Sequence, residues 1–312
     1  MVQQSPVLLL GASGFVGRRL VSALRSLGKK VFIVRRAASS RWPSSGVETF
    51  TLPGNSYEEL GSITEGRAIS AIINCAAYGV HPSERDPRLM RAVNIDLPAS
   101  LPHIARKCGA SLIHIGSCSE YAAGYPNSLL KEDSAPERSK LYGSSKYEGG
   151  RALISHATTL GVSATVLRPF NIYGPGEGSH RLLPTLVASL AAGQRASLSP
   201  GSQVRDFVFI DDVISAIIVA LDALQNGSLP TSRAYNVCTG VATTVREFAE
   251  LVARELGSPS ERLGFGDFPL RQDDLPWLVG DNSNFQQATG WVPRFSLAKG
   301  IHVSTAEMLS KN

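Results

Sequence analysis

Val7-Leu8-Leu9-Leu10-Gly11-Ala12-Ser13-Gly14-Phe15-Val16-Gly17 decides how this chain folds. The first four residues form a continuous apolar run, which suits a strand buried on both faces. Glycines at 11, 14 and 17 then permit a tight turn, and Phe15 opens an amphipathic stretch reaching Leu27. A glycine turn between a strand and a helix lets backbone N–H groups approach a pyrophosphate at the helix N-terminus. Gly11, Ser13, Gly14, Phe15, Val16 and Gly17 are therefore expected to hold a dinucleotide; a glycine turn without a ligand is the alternative.

The same alternation continues outward. Val31–Val34, Ala71–Ile73, Leu112–Ile115 and Ala164–Leu167 are further short apolar runs, separated by the helical patterns Arg88–Cys108 and Leu141–Leu160. Strand, helix and strand in repetition predict an α/β fold with a doubly wound parallel sheet. After Arg168-Pro169 the pattern loosens. Gly174-Pro175-Gly176 and Pro200-Gly201 signal loops, Asp211–Leu224 and Thr244–Leu256 read as helices, and Tyr235–Val237 reads as a strand. Gly257–Trp277 predicts a loop-rich lobe and Ser296–Leu309 a closing helix.

Composition bounds the function class. With 43% hydrophobic and 18% charged residues, the 312-residue chain is an ordinary globular type that can bury a large core. Its 31 basic against 26 acidic residues are scattered, which suits an anionic small substrate and not a nucleic-acid footprint. Cys75, Cys108, Cys118 and Cys238 lack metal-site spacing and fit reduced thiols; the six histidines form no HxxxH pair, so no metal is expected. Met1–Pro6 is too short and polar for a signal peptide, and no apolar segment reaches membrane-spanning length. A cytoplasmic enzyme with no membrane partner is the expectation.

Two local patterns carry chemistry. At the end of the second strand, Arg35 and Arg36 stand where NAD binders usually place a carboxylate, with Ser39 and Ser40 following. Two guanidinium groups suit a ribose 2′-phosphate, so NADP(H) is the expected cofactor, with NAD(H) and a merely solvated basic loop as alternatives. Farther on, Tyr142-Gly-Ser-Ser-Lys146 sets a phenol and an ammonium one helical turn apart, on one face. A nearby positive charge favours phenolate and is expected to pull Tyr142 down towards neutrality. That is a proton donor for a carbonyl being reduced, or a base for an alcohol being oxidised.

Taken in order, GASGFVG, Ser117 after His114-Ile115-Gly116, YGSSK, Arg168-Pro169-Phe170-Asn171-Ile172-Tyr173-Gly174-Pro175 and Arg205-Asp206-Phe207-Val208-Phe209-Ile210-Asp211-Asp212 resemble the extended short-chain dehydrogenase/reductases. The likeness is to their nucleotide-sugar epimerase/dehydratase/reductase group and spans about residues 7–240. It implies a Rossmann domain over 1–170, rejoined by about 208–240 and 296–310, with a smaller C-terminal substrate lobe from 171–207 and 241–295. It also implies a homodimer, paired through the helices at Arg88–Cys108 and Leu141–Leu160, and a nucleotide-sugar substrate.

By the same resemblance Tyr142 exchanges the proton, Lys146 binds the nicotinamide ribose, and Ser117 hydrogen-bonds the reacting sugar oxygen. Cys75, Ala76 and Ala77 line the adenosine half of the cofactor site. Cys118, Ser119, Asn171, Arg181 and Arg205 face the substrate; Asn171 also fits a turn cap, and Arg205 an ion pair with Asp206. The 4,6-dehydratases of the group carry Thr-Asp-Glu where this chain has Ser117-Cys118-Ser119, and a thiol and a hydroxyl cannot replace that acid and base. Glu120, one position later, is the only carboxyl close enough to consider. Gly116-Ser117-Cys118-Ser119-Glu120-Tyr121, with the stretch Leu198 to Phe207, resembles the 4-ketoreductases of the abequose synthase and 6-deoxytalose dehydrogenase type, and that likeness implies NADPH-dependent reduction of the C4 ketone of a nucleotide-linked 4-keto-6-deoxyhexose. An epimerase holding NAD tightly is the alternative. A non-enzymatic NADP-sensing protein is the third, and the presence of both Tyr142 and Lys146 opposes it.

Overall fold

A computed structural model describes residues 6–36, 46–52, 57, 59–271 and 274–310. Ser39, Ser40 and the stretch Met1–Ser5 lie outside the described residues. The expected parallel sheet is present. Strands β1 (Val7–Leu10), β2 (Val31–Arg36), β3 (Glu48–Leu52), β4 (Ala71–Asn74), β5 (Ser111–Ile115) and β6 (Ala164–Pro169) are joined by Arg233–Val237. From one edge the order is Arg233–Val237, β6, β5, β4, β1, β2, β3, and every pairing is parallel.

Apolar runs become two-faced strands here because both faces are covered. Val7 and Leu9 enter one core while Leu8 and Leu10 enter the other. Helices α1 (Phe15–Ser26), α2 (Leu60–Thr64), α3 (Pro87–Arg91), α4 (Leu97–Cys108) and α5 (Leu141–Leu160) accompany the first six strands. The strand order reverses between β1 and β4, and their carboxyl ends open the crevice where such sheets bind ligands. The predicted closing helix is found as Leu297–Leu309, with Ser296 as its N-cap. In the second half, Ala196–Leu198 pairs with Leu263–Phe265, and Val204–Arg205 lies between Thr243–Thr244 and Trp277–Leu278.

The helix predicted over Arg88–Cys108 is interrupted by a π-helical turn, Ala92–Asp96, between α3 and α4. Pro98 lacks the N–H that would bond the Asn94 carbonyl, so the regular ladder cannot pass that point. The freed carbonyl meets α5 at Gly149, where a Cβ would lie 1.8 Å from Asn94 O. Only glycine permits that crossing, which seats α5 and its Tyr142-to-Lys146 turn against the π turn.

Gly149→Ala should therefore destabilise the fold by about 1–3 kcal/mol through overpacking. Gly61→Ala, in open space on α2, should be neutral or slightly stabilising. Calorimetric melting of both variants tests this; equal melting points would refute the close crossing.

Candidate active site

The turn after β1 packs against the end of β4. Gly11 has φ 74°, and a Cβ on it would lie 2.5 Å from both Ala76 N and Cys75 C; one on Gly17 would lie 2.2 Å from Gly11 O. These clashes demand glycine before any ligand is considered. Gly14 caps α1 without a side-chain hydrogen bond, and no acidic residue occupies the first turn. The helix thus presents free N–H groups and the positive end of its dipole to an anion.

A cavity over this turn is lined by Gly11, Ser13, Gly14, Arg35, Arg36, Cys75, Ala76 and Ala77. Arg35 Nη2 donates to Thr51 Oγ1 at 3.3 Å, while its Nε is buried without a partner. Glu84 is the only carboxylate among the described lining residues, and its Oε2 already accepts from the N–H groups of Gly79 and His81. The glycine cradle, open helix end and paired guanidinium groups fit a nicotinamide dinucleotide.

A second cavity, of about 570 Å³, adjoins the first through Gly14, Cys75, Ala77 and Glu84. Phe15, Val16, Gly17, Ser117, Cys118, Ser119, Tyr142, Lys146, Asn171 and Arg181 all line it. Residues predicted from four separated motifs, with Arg181, are thus brought together at the carboxyl end of the sheet. Ser117 starts the turn after β5, where its Oγ accepts from Ser119 N–H at 3.1 Å. Burial pushes the Cys118 and Cys75 thiols up to about 12, which leaves both protonated and inert.

One expectation is corrected. Lys146 was expected to draw Tyr142 towards neutrality. Instead burial pushes the phenol up to about 12, opposed by a hydrogen bond from Ser117 and the charge of Arg181. Burial lowers Lys146 itself to about 8, against the pull of Glu120 and Cys75. Its Nζ donates to Ile115 O at 2.6 Å, so the side chain is anchored to β5. Arg205, expected to contact substrate, borders neither cavity. Its guanidinium bonds the Asp274 carboxylate and the carbonyls of Val204 and Leu275, at 2.9 and 2.6 Å. Nor does Arg205 pair with Asp206, which accepts from Thr239 N–H and Oγ1 and from Gly240 N–H.

Glu120 is likewise occupied. It is fully buried, 2.7 Å from Arg168 Nε, and accepts Ser117 N–H at 2.9 Å. Arg168 continues to Tyr121 Oη at 2.8 Å, and Tyr121 to Asn236 Oδ1 at 2.6 Å. This buried network braces the turn that carries Ser117 and offers no free acid. Asn171 Nδ2 lies 3.5 Å from Asp206 O, at the limit of a hydrogen bond, and its side chain still lines the cavity.

Sequence reasoning missed Asn94, His114 and Glu177. Asn94 is fully buried; it accepts from Tyr78 N–H and donates to Tyr78 O and Ser145 Oγ, which fixes α5 beside the cofactor cavity. A polar residue inside an otherwise apolar helix face was its signal. Glu177 lines the second cavity, 3.2 Å from Arg181; burial raises it to about 7 against that arginine's charge. Among the described residues no cluster could hold a metal ion, and no helix is long and apolar enough to cross a membrane.

The family model described as the NAD dependent epimerase/dehydratase family matches residues 7–238. The chain is 28% identical to a dTDP-6-deoxy-L-talose 4-dehydrogenase (NAD(P)(+)) of Kitasatospora kifunensis, over 95% of this chain and 93% of that one. It is 27% identical to a UDP-glucose 4-epimerase of Mycolicibacterium smegmatis, over 94% and 95%. The crystal structure of a Thermotoga maritima UDP-glucose 4-epimerase with UDP-glucose superposes with a TM-score of 0.87 at 23% identity, over 98% of this chain and 99% of that one.

A lysine depressed by burial binds fewer protons folded than unfolded between about pH 8 and its ordinary value of 10.5. Stability should therefore rise with pH across that window. Relative to Lys146→Met, the wild type should gain on the order of 2 kcal/mol between pH 7 and pH 10. Denaturant melts of both proteins at the two pH values measure it, and a constant gap would refute the burial argument.

Proposed function

Because this chain belongs to the NAD dependent epimerase/dehydratase family, an NAD(P)-dependent group that modifies nucleotide sugars, we propose that it is an NADPH-dependent reductase of a nucleotide-diphosphate-linked 4-keto-6-deoxyhexose. The observation that carries this reading is Arg35 and Arg36 lining the dinucleotide cavity, with no free carboxylate beside them among the described residues. That charge favours a 2′-phosphate and a reduced cofactor that exchanges at each turnover.

A bound NADPH would supply the hydride to C4 of the hexose. Tyr142, kept protonated by burial, donates its proton to the forming alkoxide. Ser117 hydrogen-bonds the carbonyl oxygen from the turn after β5, and Lys146 positions the nicotinamide ribose beneath it. Arg181 at the cavity wall neutralises the nucleotide diphosphate, with Asn171 beside it. Since these groups are held before the substrate arrives, their contribution is preorganisation. Residues 171–207 and 241–295 form the lobe over the sugar, and two copies pair through α4 and α5.

A nucleotide-sugar epimerase is the second reading, favoured by relatives of that name and by a Ser117, Tyr142 and Lys146 set that serves either reaction. The hydroxyl and thiol at Ser119 and Cys118, together with the occupied Glu120, argue against water elimination.

Tyr142→Phe should remove most turnover, on the order of 10²-fold or more, while leaving NADPH affinity nearly intact. Unchanged turnover would refute the proton-transfer role. Arg35→Ala combined with Arg36→Ala should weaken NADPH binding far more than NADH binding, as read by fluorescence titration. Equal weakening would refute the cofactor preference.

A further inference from the structure

His114 is a fully buried imidazole inside the apolar run of β5, on the face that looks towards α5. Its two ring nitrogens have different partners. Nδ1 lies 3.1 Å from Asn74 Nδ2, and Nε2 lies 3.3 Å from Lys146 Nζ. Asn74 sits at the end of β4, and its other amide atom, Oδ1, accepts the backbone N–H of Ala76 at 3.0 Å. A backbone N–H can only donate, so the asparagine amide cannot be flipped. Nδ2 must therefore face His114 as a donor, and His114 Nδ1 must carry the lone pair.

The remaining proton of a neutral His114 then belongs on Nε2, pointing at Lys146. An ammonium has three donors and no acceptor, so it cannot receive that proton; a free amine has one acceptor and two donors. The amine satisfies every contact: it accepts from His114 Nε2–H, donates to Ile115 O at 2.6 Å, and keeps one donor for a ligand. An imidazolium at His114 would set an N–H against the Asn74 amide donor, and burial with the charge of Lys146 disfavours it further.

Resting on the assignment of Lys146 to the reductase site, we propose that Asn74 and His114 are positioning residues: Asn74 fixes the Nε2–H tautomer of His114, which in turn donates to Lys146 and stabilises it as a free amine. Charging Lys146 requires that this contact break, so the lysine takes up its proton only when its Nζ turns from His114 to another partner. The ionisable groups around Lys146 are His114 from β5, Cys75 after β4, Glu120 from the turn after β5, and Tyr142 one turn earlier on α5. Cys75 stays protonated, Glu120 is spent on Arg168, and Tyr142 stays a phenol. Among these, His114 alone touches Nζ within hydrogen-bond reach.

The test needs neither sugar nor cofactor. Full-length protein labelled with ¹⁵N-histidine and ¹³Cε-lysine is followed by long-range ¹H–¹⁵N and ¹H–¹³C spectra from pH 6 to pH 11. His114→Gln and Lys146→Met assign the two signals. The expected result is a neutral His114 protonated on Nε2 throughout, and a Lys146 midpoint near 8. In Asn74→Asp the acceptor at that position should move the proton to Nδ1 and raise the Lys146 midpoint by about one pH unit or more, a tenfold change in proton affinity. An Nδ1–H tautomer or imidazolium in the wild type would overturn the proposal, as would an unchanged lysine midpoint in a folded Asn74→Asp. If that variant does not fold, the wild-type tautomer alone decides. Failure to reduce any keto sugar would count against the reductase and leave this spectrum untouched.

Discussion

The bond from Lys146 Nζ to Ile115 O, made by a side chain that is 1% exposed, is the constraint on which the site depends. It ties the second turn of α5 to the end of β5. Burying that nitrogen costs free energy, so the fold must hold it in place by other means. Gly149 against the Asn94 carbonyl seats the helix, and Asn94 ties Ser145 to Tyr78. Glu120 and Arg168 brace the far side of the turn that presents Ser117. Tyr142 faces the cavity because Lys146, on the same helical face, is already pinned beneath it.

Around this anchor, the switch in strand order between β1 and β4 supplies the rest. The glycine turn after β1 can approach Cys75 and Ala76 only because Gly11 and Gly17 have no side chains. That approach sets the first cavity against the second, with Cys75 and Ala77 common to both walls. Tyr142 and Ser117 line the second cavity, beside that shared wall.

Most of the sheet was legible because its strands are apolar on both faces and read as continuous runs. Strand β3 was not: Glu48–Leu52 is an edge strand with only Leu52 buried. The helix Leu182–Ala191 escaped notice for the opposite reason, being apolar almost all round and so lacking a polar face to give a period. The π turn depends on where Pro98 falls relative to α5, which no periodicity reports. Within the site, residues on motifs were found and residues that support them were not. Asn74 and His114 stand in or at the end of apolar runs, and an isolated polar group in a two-sided buried strand is itself the signal. The pairing of Arg205 with Asp274 was not legible because the two lie 69 positions apart in the chain. Burial reversed the expected effect of Lys146 on Tyr142: proximity in sequence gives the spacing of two charges, while the surrounding dielectric decides which of them shifts.

The central claim is that this site delivers hydride and a proton to a sugar ketone and releases oxidised cofactor. Its most direct test is nicotinamide absorbance with purified protein and a panel of nucleotide-linked 4-keto-6-deoxyhexoses, NADPH and NADH side by side. Rapid loss of NADPH absorbance with one member of the panel, faster than with NADH, is the predicted result. No loss with any member, together with oxidised cofactor carried through purification, would contradict it and establish the epimerase instead.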